Sequence, residues 1–291
     1  MALRHPRLAG SILASLCLGG ICTAGAGSLV EARDDRRAVR VRQESACCPS
    51  EILVEVLDSR GQSSFDFTAR VERLEGVHLV AGEGSLVHGA LRYGGDALVV
   101  LNLDELSVES EIWSYGFHPS PSASQMVYQT HYPRQVAPQA RRSILLLYDL
   151  RVTAEVNRRG DPLSGWPRPN LGRPLFPRIH ACQTSHDVTL GDEYVVSSPV
   201  LWSPTESRIV FFVQNKTKQV SSLVRVDVDD PCGGTVVREL DLEKLAAEKR
   251  ARDPRSFAAE SLQWTDEAAT RIQVVPQAAS PFPPKMIFEV P

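Results

Sequence analysis

Residues 197–229 read SSPVLWSPTESRIVFFVQNKTKQVSSLVRVDVD, and this stretch decides the fold class. Val200-Leu201-Trp202 leads into Ser203-Pro204-Thr205-Glu206-Ser207. There, proline presets φ for a tight turn, and the hydroxyls of serine and threonine can bond the turn backbone. Arg208-Ile209-Val210-Phe211-Phe212-Val213 follows. Its five consecutive apolar residues predict a strand buried on both faces. A polar connection, Gln214 to Gln219, then leads into Leu223-Val224-Arg225-Val226-Asp227-Val228-Asp229. Here valines alternate with charges, as in a half-exposed strand near a sheet edge. A fully buried strand beside a half-exposed one predicts a small antiparallel sheet packed between other sheets.

The pattern recurs on both sides. Phe117-His118-Pro119-Ser120 opens a segment that runs through Met126-Val127-Tyr128 to Ser143–Leu150. Trp264-Thr265-Asp266-Glu267 opens another, through Arg271–Val275 to Met286–Val290. Each has an aromatic residue, a polar turn, an apolar strand, a linker and a second apolar strand. In these residues the chain resembles the WD40-like (PD40, TolB-type) propeller repeats of secreted bacterial proteins. Their units read roughly as a Trp-Ser-Pro-Asp-Gly turn followed by two strands. The resemblance covers the quoted stretch well and about half of the mature chain loosely. It departs at the turn, where Thr205-Glu206 stands for Asp-Gly. The openers are unevenly spaced, and insertions at 158–180 and 240–255 account for much of the irregularity, since blades run ~40–50 residues.

The amino end reads as a signal peptide over 1–26. Arg4 and Arg7 precede an apolar run, Leu8 to Ile21, and Ala24-Gly25-Ala26 is a small-x-small cleavage signal. The run is too short and glycine-rich for a comfortable transmembrane helix. Removing 1–26 takes away two arginines and no acids, so the formal charge moves from −3 to −5. That balance gives no footing for nucleic acid. The mature chain holds no second apolar span. These features predict a periplasmic or secreted protein.

Residues 27–50 carry Arg33, Arg36, Arg37, Arg40 and Arg42 and are expected to form a flexible basic arm. Residues 51–291 are expected to be a single all-β domain. Ile52–Val56, Phe65–Val71 and Ala97–Leu101 read as strands, and Gly82-Glu83-Gly84 and Tyr93–Asp96 as turns. The insert 158–180 is rich in proline and arginine, which blocks both helix and central strand. Its Trp166, Arg168, Arg173 and Arg178 are the candidate residues for gripping an anionic or peptide partner. Residues 239–252 are rich in helix formers and stop before Pro254, which predicts a short surface helix.

Four cysteines remain after cleavage: Cys47, Cys48, Cys182 and Cys232. An even number in an exported chain favours disulfides. One or both of Cys47 and Cys48 pairing with Cys182 and Cys232 is the preferred arrangement, and a Cys182–Cys232 bond is the next. His180, Cys182 and His186 could instead ligate zinc or copper. That spacing is looser than in ordinary metal motifs. There is no Gly-x-Ser-x-Gly elbow and no His-Glu-x-x-His, so no catalytic residue is assigned.

The sequence thus predicts a propeller-like body of about four blade-type antiparallel sheets with one short surface helix, a β-sandwich being the alternative. The family resemblance implies a binding or scaffold protein of the cell envelope. It would recognise a protein or peptide partner through loops on one face, with no cofactor. A secreted propeller-type hydrolase or metal-binding protein is the alternative.

Overall fold

The computed structural model describes residues 29–33, 36–43, 50–71, 73–80, 84–90, 96–114, 116–132, 142–152, 172–177, 194–216, 220–230, 235–240, 257–278 and 282–291. It is all-β, and its strands form five antiparallel sheets that follow one another along the chain. The first contains β1 (Leu29–Arg33), β2 (Ala38–Gln43), β3 (Ser50–Leu57) and β4 (Ser63–Val71). The second contains β5 (Arg73–Val80), β6 (Gly84–Ala90), β7 (Asp96–Asn102) and β8 (Ser107–Ser114). The third contains β9 (Phe117–Pro119), β10 (Gln125–Tyr132), β11 (Arg142–Asp149) and β12 (Arg173–Phe176). In the fourth are β13 (Tyr194–Val196), β14 (Leu201–Trp202), β15 (Arg208–Asn215), β16 (Val220–Asp227) and β17 (Thr235–Leu240). The fifth contains β18 (Ala259–Trp264), β19 (Arg271–Pro276) and β20 (Met286–Glu289). These are the blade-type sheets expected, five in place of about four.

The strands divide into two compact units, Met1–Leu79 with Gly84–Glu111, and Val80–Glu83 with Ile112–Pro291. A single domain over 51–291 was expected. In the first unit, Val39, Val41, Ile52, Val54 and Val56 of the first sheet pack on Val77, Val99 and Leu101 of the second. The segment 27–50, expected as a flexible arm, contains β1 and β2. In Val39-Arg40-Val41-Arg42 both valines are fully buried and the arginines face outward. Period two, and not basic charge, decides that segment. Its arginines pair along the sheet face, Arg40 with Glu31 at 3.1 Å and Arg42 with Glu55 at 3.1 Å.

In the second unit the fourth sheet lies between the third and the fifth. One face of β15 places Ile209, Phe211 and Val213 against Val127, Leu145, Leu147 and Phe176 of the third sheet. The other face places Val210 and Phe212 against Phe257, Ile272, Val274 and Phe288 from the fifth-sheet region. All five residues from Ile209 to Val213 are fully buried, as the unbroken apolar run requires.

Two further expectations are revised. The insert supplies a strand, β12, which pairs with β11 at the sheet edge, where Pro174 costs no central hydrogen bond. Glu239 and Leu240 complete β17, so the segment expected to be helical begins as strand; the rest of it, from residue 241, lies outside the described residues. Among the described residues none is helical, and no helix is long and apolar enough to cross a membrane.

Candidate functional site

The repeat is held in register by one kind of turn. In Ser120–Ala123, Ser203–Glu206 and Asp266–Ala269 the fourth residue donates its N–H to the carbonyl of the first, at 2.8, 3.0 and 3.3 Å. In each, that fourth residue is left-handed, with φ of 58° at Ala123, 59° at Glu206 and 53° at Ala269. Asp58–Gly61 closes in the same way, with φ 76° at Gly61. Glu206 therefore adopts a glycine-like backbone without being glycine. Its carboxylate accepts hydrogen bonds from the Ser122 N–H and, at 2.9 Å, from the Ser122 hydroxyl, so the turns of neighbouring sheets are tied together.

Trp202 and Trp264 occupy matching positions: Trp202 pairs with Ile209, and Trp264 with Ile272. Each indole N–H reaches back to the sheet before it. Trp202 Nε1 donates to the His118 carbonyl at 2.9 Å, and Trp264 Nε1 to the Trp202 carbonyl at 2.7 Å. In the third sheet the matching residue is Pro119, which pairs with Met126; Phe117 lies two residues farther from the turn, opposite Tyr128. The aromatic opener at Phe117 is thus out of register with the two tryptophans, contrary to the sequence reading.

At the turn end of the third and fourth sheets, charged groups gather. Arg151 grips Asp149 through Nε at 2.9 Å and Nη2 at 2.6 Å. Partial burial of Asp149 opposes its ionisation. Hydrogen bonds from Arg151 and from Gln125 outweigh that and hold its pKa below the usual 3.8. Arg173, at the start of β12, donates to the Val228 carbonyl. Desolvation lowers its pKa, while the nearby Asp229, Asp149 and Asp230 act in the opposite direction. Arg173 is thus a cross-sheet link that neutralises the acidic end of β16.

A cleft of about 440 Å³ opens where β13 and β15 meet β18. It is lined by Val195–Ser198, Gln214, Phe257–Ala259 and Gln277. Its lining residues are tied by backbone hydrogen bonds: Ala259 N–H donates to the Ser197 carbonyl at 2.9 Å, and Ser197 N–H to the Phe212 carbonyl at 2.9 Å. Ser198 Oγ accepts from Phe212 N–H at 2.8 Å and donates to the Pro199 carbonyl at 2.8 Å. Ser197 Oγ is buried and has no partner among the described residues. Among the described residues the lining is neutral, combining amide, hydroxyl and apolar surface. It can hold an uncharged segment by hydrogen bonds and apolar contact. Its described residues include no acid or base for proton transfer.

Sequence reasoning did not single out this cleft. Its residues come from separate stretches, none of them titratable, and none forms a motif. Of the candidates it did name, only Arg173 lies among the described residues. Trp166, Arg168, Arg178, His180, Cys182, His186, Cys47, Cys48 and Cys232 lie outside them. Among the described residues, no three His, Cys, Asp or Glu side chains are grouped as metal ligands.

No protein-family model matches the chain, and no curated protein matches it at a significant level. Solved structures resemble it at low identity. The β-propeller domain of the Trilobed protease from Pyrococcus furiosus matches with a TM-score of 0.40 and 10% identity, over 86% of this chain and 63% of that one. A prolyl endopeptidase structure matches with a TM-score of 0.43 and 10% identity, over 91% of this chain and 34% of that one. Kuenenia stuttgartiensis hydrazine synthase matches with a TM-score of 0.36 and 12% identity, over 86% and 70%. The chain spans less than two thirds of the length of the first two.

Proposed function

We propose that this protein is an exported binding module of the cell envelope that captures an uncharged protein or peptide segment in the cleft between β13, β15 and β18. The observation that carries this reading is the neutral lining, with serine and glutamine set among Val195, Val196, Phe257 and backbone. Such a surface fits a polypeptide, which offers amides and apolar side chains. The signal-like amino end supports export. In this reading Trp166, Arg168 and Arg178 add contacts to acidic parts of the same partner, while Arg173 serves the fold.

The test places a photo-crosslinking residue at Gln277 and exposes the purified chain to an envelope extract. A discrete adduct is expected. It should disappear when Ala258→Trp fills the cleft and should not form from a crosslinker at the exposed turn residue Glu267. The same adducts from both positions, or an adduct that survives Ala258→Trp, would overturn the reading.

A further inference from the structure

Among the described strands, the outer edge of β20 has no pairing partner. The register of β20 on β19 runs without a break from Arg271↔Glu289 to Val274↔Met286. Val290 N–H donates to the Thr270 carbonyl at 2.7 Å, which fixes the hydrogen-bonding phase. In an antiparallel ladder the N–H and C=O of alternate residues point to the same side. Met286, Phe288 and Val290 therefore spend their backbone groups on β19. Those of Lys285, Ile287 and Glu289 point away from it, and no described strand pairs there.

The side chains show the same alternation. Phe288 and Val290 are buried, whereas Lys285, Ile287 and Glu289 are exposed. Ile287 is 64% exposed, an unusual position for a large β-branched side chain on a sheet edge. Pro283 before this run and Pro291 after it fall in the outward phase, and neither has an N–H to extend a ladder. Pairing is thereby confined to Lys285–Val290. Within that window, antiparallel pairing about a two-fold axis through Ile287 satisfies every constraint. It places Ile287 opposite Ile287 and Lys285 opposite Glu289 twice over, using the outward-facing backbone groups on both sides.

We propose that two copies of this chain associate through β20, joining their fifth sheets into one continuous antiparallel sheet. The interface is isologous, as a two-fold dimer requires. It is a short edge contact, so the dimer is weak, with dissociation in the micromolar range or above.

Sedimentation analysis of the purified chain from micromolar to millimolar concentration tests this. A reversible monomer–dimer equilibrium is expected. Lys285→Glu sets like charges opposite one another and should raise Kd roughly tenfold. Adding Glu289→Lys to that variant restores the opposite pairing and should return Kd towards the original value. Ile287→Pro removes an outward N–H without touching the β19 ladder and should abolish the dimer, with the circular dichroism spectrum confirming the fold. A chain that stays monomeric throughout, or a dimer indifferent to Lys285→Glu and Ile287→Pro, would overturn the proposal.

Discussion

At the scale of single residues, a few hydrogen bonds carry the contact between neighbouring sheets. Ser143 is fully buried, and its hydroxyl accepts the Val196 N–H at 3.0 Å and the Gln129 side-chain amide at 3.1 Å. Ser143→Ala strands both donors and should cost about 1–3 kcal/mol in urea unfolding. Trp202→Phe keeps most of the ring but leaves the His118 carbonyl without its indole donor; about 1–2 kcal/mol is expected from the same measurement. The left-handed turn residues behave differently from one another. Ala123→Gly relieves a side chain from a conformation that costs ~1–2 kcal/mol, and part of that gain returns through the flexibility of unfolded glycine. A net stabilisation of about 0.5–1 kcal/mol should appear. Glu206→Gly gains the same backbone relief but loses the carboxylate that holds Ser122, so it should yield no net stabilisation. Asp149 has a folded pKa below its unfolded value. Its contribution is complete above the unfolded pKa and is lost as pH falls from there through the lower folded pKa. Urea midpoints measured from about pH 5 to pH 3 should decline, and Asp149→Asn should flatten that decline.

At the scale of elements, β12 has the largest consequence. Leu175 and Phe176 enter the core between the third and fourth sheets. Phe176 meets Tyr194 at 5.4 Å and Phe211 at 5.1 Å, both edge to face. Phe176→Ala should cost about 3–5 kcal/mol. The strand is entered through Gly172 at φ 137°, where an added Cβ would lie 2.8 Å from the Leu147 carbonyl oxygen and 3.0 Å from the Tyr128 hydroxyl. Gly172→Ala should therefore destabilise by about 1–3 kcal/mol, seen as a lowered melting temperature. Deletion of the whole insert 158–180 would remove a core strand along with the surrounding loop, so it cannot separate binding from folding. Substitution at Ala258, on the cleft wall, can.

At the scale of the molecule, the second unit carries two cores, one on each face of the fourth sheet. Residues 112–291 expressed alone should give a β-type circular dichroism spectrum and a single cooperative melt. A fragment that stays unfolded would show that its cores need the preceding sheets.

What the sequence determined by itself follows from short-range chemistry. The unbroken run Ile209–Val213 demands burial on both faces, and the strand has a core on each. Alternation located β16, because side chains on a strand alternate sides whatever lies around them, and apolar strand-like runs located β3, β4 and β20. The same rule applied to Val39-Arg40-Val41-Arg42 yields strand, although the charge of the segment points to a solvated arm. Tertiary structure decided the remainder. The register that matches Trp202 with Trp264 and leaves Phe117 out depends on which residues pair across strands. The glycine-like turn at Glu206 is stabilised by a neighbouring sheet that the local sequence cannot reveal. The cleft gathers uncharged residues from distant stretches, and only packing brings them together.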